Sequence, residues 1–248
     1  MRFFVLIGLV ATACALSAQT ALGATPVRIV VAVVDTGVSP ARQFTGRLLK
    51  GWDFVGNDSN TADQNGHGTE LASIVATQCP GCAILPVRVL GQGGLGTVAT
   101  VILGIHWAVE NGANVINLSM TTLSDNPDLT AAIEWAVGRG VTTVLAAGNR
   151  GAPIGYPGAM APGALTVGSV DSAGKLFGWS NYGPWVDVVA PGSLTARSID
   201  GRLVPAIGTS ASAAYVSGAA GLLLGCQRTL TPAEVIVRLE ASLAPHLC

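Results

Sequence analysis

Charged side chains are scarce in this sequence: only 11% of its 248 residues are Asp, Glu, Lys or Arg, and the formal net charge is −1. Without a basic patch or a run of like charge, the chain lacks the electrostatic surface that binds phosphate backbones or anionic lipids, so nucleic acid is not expected as a partner. Half of the residues are apolar, which at this length is enough to bury the core of one domain. We expect a single domain and a monomer.

Long hydrophobic runs are also missing. The strongest apolar stretch, Phe3 to Val10, falls well short of the roughly 20 residues that a membrane-spanning helix needs. It follows the basic Arg2 and precedes the small residues of Ala21-Leu22-Gly23, an order typical of a secretory signal peptide. We therefore predict a signal peptide over residues 1–23, a mature domain over residues 24–248 with no membrane association, and secretion to the periplasm or the medium.

Two other interpretations of the N-terminus remain open. One is a retained membrane anchor, against which the short length of the apolar stretch argues. The other is a lipoprotein cleavage site at Ala11-Thr12-Ala13-Cys14, which would leave Cys14 lipidated, although Ala11 stands where that pattern usually has Leu.

Cysteine is limited to five residues, and removal of the signal peptide leaves four: Cys79, Cys82, Cys226 and Cys248. An even number in an exported chain indicates disulfides, and four cysteines permit three pairings. Proximity in the sequence favours Cys79 with Cys82 and Cys226 with Cys248. A redox pair at Cys79 and Cys82 would normally follow a strand and precede a helix, whereas here the order is reversed. A four-cysteine zinc site lacks its second close spacing, so no metal site is expected.

Continuous apolar stretches alternate with helical patterns along the mature chain. Stretches that are apolar on both faces indicate strands buried on both sides, as in a parallel sheet. They cover Arg28 to Val34, Ala83 to Leu90, Val115 to Leu118, Thr142 to Ala146 and Ala164 to Val167. Helical patterns cover Thr69 to Thr77, Thr97 to Glu110 ending at Asn111-Gly112, and Leu129 to Val137 ending at Gly138. This alternation predicts an α/β fold with a doubly wound, mostly parallel sheet and helices on both faces.

Two further helices are predicted in the C-terminal third. The first is a helix rich in small residues from Gly208 to Gly225. The second begins after Thr231, because Pro232 suits the first helical position and Glu234 completes a capping box with Thr231.

Three short segments each place a reactive side chain beside glycine at the end of an apolar element. They contain Asp35 in Val33-Val34-Asp35-Thr36-Gly37, His67 in Asn65-Gly66-His67-Gly68-Thr69, and Ser210 in Gly208-Thr209-Ser210-Ala211-Ser212. Taken singly, each residue has an ordinary explanation as a turn former, a helix-start residue or an N-cap. Together they supply what a serine nucleophile needs: a base to take its proton and a carboxylate to orient that base. The chain order Asp, His, Ser is one of the known orders of such a triad.

These segments, their order and the chain between them resemble the subtilase family, endopeptidases with a doubly wound parallel sheet. The resemblance covers about Arg28 to Leu224. It implies that Asp35 orients and stabilises His67, that His67 acts as general base and then as general acid, and that Ser210 forms an acyl-enzyme without a cofactor. We expect activity from neutral to alkaline pH, where His67 is unprotonated.

The resemblance extends to the oxyanion site and to substrate binding. Val144-Leu145-Ala146-Ala147-Gly148-Asn149 matches the family's oxyanion motif, which implies that Asn149 donates its side-chain amide to the tetrahedral intermediate. Stretches containing Gly96, and Ser119 with Met120, resemble those that pair with an extended polypeptide substrate. Gly148 and Gly155 are implied on the opposite wall of the first pocket.

The preference of that pocket remains open from sequence alone. Gly155 suits a large apolar or aromatic side chain before the cleaved bond. However, the family usually has Gly where this chain has Thr121, so a side chain is expected to narrow the entrance.

Three other departures bear on stability and activity. Glu70 replaces a second His after the catalytic one. In many subtilases a calcium-binding loop interrupts the helix after that His, whereas here the helix leads directly to Cys79, and we expect disulfides to substitute for the calcium. The first strand begins close to the expected cleavage point, so we expect unaided folding or a trans-acting folding or inhibitor protein in place of a propeptide.

Two rival functions are considered. Gly91-Gln92-Gly93-Gly94-Leu95-Gly96 fits the dinucleotide-binding pattern between a strand and a helix, but the next strand ends at Asn117-Leu118-Ser119 without the acidic residue that holds a ribose. A catalytically silent member of the fold, acting as a binding or scaffold protein, is the alternative to the enzyme.

Overall fold

The computed structural model of the protein describes residues 28–243. A seven-stranded sheet forms its centre, in the order β2-β3-β1-β4-β5-β6-β7, and all neighbouring strands are parallel. The strands are β1 (Val30–Asp35), β2 (Trp52–Asp53), β3 (Ala83–Arg88), β4 (Val115–Leu118), β5 (Thr142–Ala146), β6 (Leu165–Val170) and β7 (Val188–Pro191). The predicted α/β fold with a doubly wound, mostly parallel sheet is confirmed.

Helices cover both faces of the sheet. They are α1 (His67–Gln78), α2 (Val98–Glu110), α3 (Pro127–Gly138), α4 (Thr209–Cys226) and α5 (Pro232–Leu243). The core under α1, α4 and α5 contains Val31 and Val33 of β1, whereas the core under α2 and α3 contains Ala32 and Val34. Because successive side chains of a strand point to opposite faces, β1 must be apolar throughout to serve both cores.

A two-stranded antiparallel hairpin, β8 (Ser193–Arg197) and β9 (Leu203–Ile207), lies outside the sheet and leads directly into α4. The backbone N–H of Arg197 donates to Ser73 Oγ of α1 at 2.8 Å, which ties the hairpin to that helix. Our sequence analysis did not identify this hairpin, nor β2 and β7, because these strands are short or only half buried.

Helix ends follow the predicted chemistry with one correction. Gly112 after α2 adopts the expected left-handed conformation, with φ of 81°. α3 ends at Gly138 as predicted, but the expectation that Gly138 is the left-handed cap was wrong, because Gly138 is still helical and the left-handed residue is Gly140, with φ of 84°. The capping box of α5 is confirmed, since Thr231 N–H donates to Glu234 Oε2 at 2.8 Å.

Cys79 and Cys82 are joined between the end of α1 and the start of β3, with their Sγ atoms 2.04 Å apart. The pair therefore follows a helix and precedes a strand, which is the reverse of the order expected for a redox pair. Cys248 lies outside the described residues, so the pairing of Cys226 with Cys248 stays a prediction. The predicted signal peptide and Cys14 also lie outside them.

Within residues 28–243, no helix is both long enough and apolar enough to cross a membrane. The same residues contain no cluster of three or more His, Cys, Asp or Glu side chains placed to hold a metal ion.

Candidate active site

The predicted catalytic residues lie at the carboxyl edge of the sheet. Asp35 is the last residue of β1, Ser119 follows the adjacent β4, and Asn149 follows β5, the next strand. Parallel strands end at the same edge, which is where open α/β sheets bind their ligands. His67 and Ser210 lie in the first turns of α1 and α4, which pack against each other on one face of the sheet.

Asp35 and His67 form a direct pair. Nδ1 of His67 lies 2.8 Å from Oδ1 of Asp35, and the Asp35 side chain is fully buried whereas that of His67 is 37% exposed. Because an ionised carboxylate only accepts hydrogen bonds, Nδ1 must carry the proton, which leaves Nε2 of the neutral ring free to act as a base. Oδ1 also accepts the N–H of Thr36 at 2.7 Å, which fixes the carboxylate.

The pKa of His67 is raised above its usual value. Burial of the ring opposes this shift, but it is outweighed by the charge and the hydrogen bond of Asp35 together with the carboxylates of Glu70 and Asp63. The environment therefore stabilises the imidazolium, which is the form that follows proton transfer from a serine.

Asp63 sets the start of α1, and our sequence analysis missed it. Its carboxylate is buried and accepts the N–H groups of Asn65, Gly66 and Thr69 together with the Thr69 hydroxyl, at 2.7–2.9 Å. These bonds satisfy N–H groups that have no partner within the helix. Asp63 thereby fixes the backbone on both sides of His67.

Gly68 allows α1 to approach β1 closely. A Cβ atom at Gly68 would stand 2.2 Å from the carbonyl oxygen of Gly37 and 3.2 Å from Cβ of Asp35. The Gly68 N–H also donates to Thr36 Oγ1 at 2.9 Å. The glycine after His67 is therefore needed to bring the imidazole within reach of Asp35.

Ser210 occupies the first turn of α4, and its side chain is partly exposed. Its Oγ donates to the carbonyl oxygen of Ser119 at 3.3 Å. Among the described residues it makes no hydrogen bond to His67, whose Nδ1 is bonded to Asp35. Catalytic hydrogen bonds are often loose without substrate. The Ser210 N–H lies in the first turn of the helix, where N–H groups have no intrahelical partner.

A chain of side-chain hydrogen bonds connects the first turn of α4, where Ser210 lies, to β4. Ser217 Oγ of α4 donates to Asn117 Oδ1 at 3.0 Å, and Asn117 Nδ2 donates to Ser119 Oγ at 2.9 Å. Ser119 Oγ in turn donates to the carbonyl oxygen of Ser210 at 3.3 Å. The first turn of α4 is thus linked to the end of β4 by side chains as well as by packing.

Asn149 is oriented by Thr209. Its Oδ1 accepts both the N–H and the Oγ1 hydroxyl of Thr209, each at 2.9 Å. A backbone N–H can only donate, so the bound atom must be the oxygen, and Nδ2 is left free to donate elsewhere. The Gly148 N–H donates to Thr209 Oγ1 at 3.0 Å, which fixes the hydroxyl in turn.

The loop after β5 is shaped by Asn181, a second residue that sequence analysis missed. Asn181 is buried; its N–H donates to the Gly148 carbonyl and its Nδ2 to the Ala147 carbonyl, while Oδ1 accepts two further backbone N–H groups. A Cβ at Gly155 would stand 2.4 Å from the Ala147 carbonyl oxygen and 2.9 Å from Cη2 of Trp185. Close packing therefore explains the glycine at 155 without any demand for a roomy pocket.

The other predicted substrate-binding residues, Gly96 and Met120, lie on loops beyond the neighbouring strands. A Cβ at Gly96 would stand 2.3 Å from the Val89 carbonyl oxygen, so the loop before α2 folds tightly onto the end of β3. Met120 is half buried against the core under α2 and α3.

Residues 28–243 match the family model of the subtilase family. The chain is 40% identical over 207 residues to thermitase of Thermoactinomyces vulgaris, covering 78% of this chain and 74% of that protein. It is 38% identical over 205 residues to a thermophilic serine proteinase of Bacillus sp. (strain AK1), covering 78% of this chain and 51% of that protein. The chain therefore spans about half the length of that proteinase.

The fold is also similar to that of a solved serine proteinase structure. A crystal structure of a cold-adapted subtilisin-like serine proteinase superposes with a TM-score of 0.82 at 35% identity, covering 86% of this chain and 81% of that one. With the family match, this shows that the chain belongs to the subtilase family, the subtilisin-like serine endopeptidases.

Proposed function

We propose that this protein is a secreted serine endopeptidase that hydrolyses polypeptides, with Asp35, His67 and Ser210 as its catalytic triad and Asn149 as its oxyanion donor. The observation that carries the proposal is the 2.8 Å hydrogen bond between buried Asp35 and half-exposed His67, at the sheet edge where Ser210 also lies. A carboxylate, an imidazole and a serine at a helix N-terminus are the groups that nucleophilic acyl transfer requires.

Proton transfer follows from these positions. On substrate binding, Ser210 Oγ leaves the Ser119 carbonyl oxygen and gives its proton to Nε2 of His67 while it bonds to the carbonyl carbon. The imidazolium, stabilised by Asp35, then protonates the departing amine as the C–N bond breaks. Water repeats the sequence on the acyl-enzyme and restores Ser210.

The oxyanion of the tetrahedral intermediate is bound by Nδ2 of Asn149 and by the N–H of Ser210. The bonds from Thr209 hold Asn149 in the donating orientation before substrate arrives. Donors that are fixed in advance need no reorganisation during the reaction, which is why they lower the barrier.

Substrates are extended polypeptides bound between Gly96, Ser119 and Met120 on one side and Gly148 and Gly155 on the other. The predicted signal peptide supports secretion to the periplasm or the medium. The enzyme acts as a monomer, and a trans-acting folding or inhibitor protein is a proposed partner.

Fluorophosphonate labelling tests the enzyme directly. The mature chain is compared with Ser210→Ala and with Ser172→Ala, which removes an exposed serine hydroxyl in the turn after β6. We expect wild type and Ser172→Ala to be labelled at Ser210, by peptide mapping, and to digest casein, whereas Ser210→Ala does neither. Absence of labelling in wild-type protein with a cooperative unfolding transition would refute the enzyme and support the binding or scaffold protein.

A further inference from the structure

The first pocket lies between two loops that flank the nucleophile. One begins at Ser119, whose carbonyl oxygen accepts the Ser210 hydroxyl, and the other follows β5 and runs through Gly148 and Asn149 to Tyr156. A peptide whose carbonyl carbon meets Ser210 Oγ and whose oxygen points to Asn149 must place the side chain before the cleaved bond between these loops.

Thr121 brings the two loops into contact. Its side chain is exposed, and its Cγ2 methyl lies 3.3 Å from the point where a Cβ of Gly148 would stand. The next residue, Thr122, donates its N–H to the Tyr156 carbonyl oxygen at 3.0 Å, so the loops are also joined behind the methyl. The methyl therefore occupies the space that faces Gly148, and the bridge at Thr122 prevents the loops from separating there.

An aromatic ring does not fit beside such a methyl. Carbon atoms pack at about 3.5–4.0 Å, so a flat ring between two walls needs them about 7 Å apart. The Thr121 methyl lies only 3.3 Å from the position of a Gly148 Cβ, which leaves no such space between them. We propose that Thr121 determines specificity by closing the first pocket to aromatic side chains, so that the enzyme cleaves after small residues such as alanine. This inference rests on the proposed function and names its substrate class.

Two variants separate the effect of the Thr121 Cγ2 methyl group from that of the hydroxyl. Thr121→Ser keeps the hydroxyl and removes Cγ2, whereas Thr121→Val keeps a methyl at each branch of Cβ. The substrates are tetrapeptide p-nitroanilides that differ only in having Ala or Phe before the cleaved bond. The measured quantity is the ratio of kcat/KM for Phe to that for Ala.

We expect wild type and Thr121→Val to favour Ala, and Thr121→Ser to raise the ratio by about tenfold or more, the discrimination typical of one methyl group in a pocket. An equal ratio in all three proteins, or a wild-type preference for Phe, would overturn the inference.

Peptidyl diphenyl phosphonates with Ala or Phe at the same position test the specificity without turnover. The measured quantity is the rate at which each phosphonate labels Ser210. If labelling occurs at equal rates for both side chains, the specificity inference fails and the enzyme stands. If neither phosphonate labels Ser210, the proposed function fails and the inference falls with it.

Discussion

The hydroxyl of Thr209 is expected to assist catalysis entirely through Asn149. Thr209→Val keeps the shape of the side chain but removes the Oγ1 donor to Asn149 Oδ1 and the acceptor of the Gly148 N–H. Asn149 then keeps only the Thr209 N–H to hold its amide in the donating orientation. We therefore expect kcat to fall while the catalytic pair of Asp35 and His67 stays intact.

The size of the effect follows from the bonds that are lost. One net hydrogen bond contributes about 1 kcal/mol, which corresponds to about a fivefold loss in kcat. Asn149→Ala removes the donor itself, and the loss known from the equivalent change in a subtilisin is about 100- to 1,000-fold. The buried Gly148 N–H left without an acceptor should cost about 1–3 kcal/mol of the free energy of unfolding.

A double-mutant cycle separates this role from a general loosening of the site. We would measure kcat at saturating substrate for wild type, for both single variants and for the double variant of Thr209 and Asn149. Once Asn149 is alanine, Thr209→Val should lower kcat by less than about twofold, because residues that act through one group are not additive. An equal fivefold loss in both backgrounds would refute the reasoning.

Two further changes test the electrostatics and the stability. Glu70 is among the charges that raise the pKa of His67 against its burial, so Glu70→Gln should lower that pKa and move the acid limb of the kcat/KM profile to lower pH, whereas an unmoved limb would contradict the assignment. Replacing Cys79 and Cys82 by alanine in the Ser210→Ala background, which prevents autolysis, should lower the free energy of unfolding in urea by about 2 kcal/mol, since the loop that they close is short. Destabilisation by a chelator but not by this double change would show that bound calcium, rather than the cysteine pair, supports this end of α1.

The sheet and the longer helices could be predicted because their sequences leave little choice. β4 and β5 have the predicted bounds, since strands buried on both faces are apolar without interruption. α5 begins where its capping box indicates, because the box consists of two residues, Thr231 and Glu234, only three positions apart in the sequence. Such signals depend on residues close in the sequence.

The supporting residues of the site could not be predicted because their partners are remote or are backbone groups. Asn181 orders a loop more than 25 residues earlier in the chain through carbonyl and N–H groups that every residue type carries. Asp63 lies in a polar loop where other acidic and amide residues offer the same chemistry. The hydroxyl that orients Asn149 belongs to Thr209, 60 residues further on. Only the folded chain distinguishes these residues from their neighbours.

The helix that carries Ser210, the proposed nucleophile, is itself part of the protein's core. α4 is buried along most of its length and contacts α1 and strands from β4 to β7. Its amide protons beyond the first turn should therefore exchange with solvent only when the whole domain unfolds. Because this helix positions Ser210, activity should persist until the cooperative transition and disappear within it. A ligand that occupies the cleft should therefore inhibit the enzyme without shifting this helix.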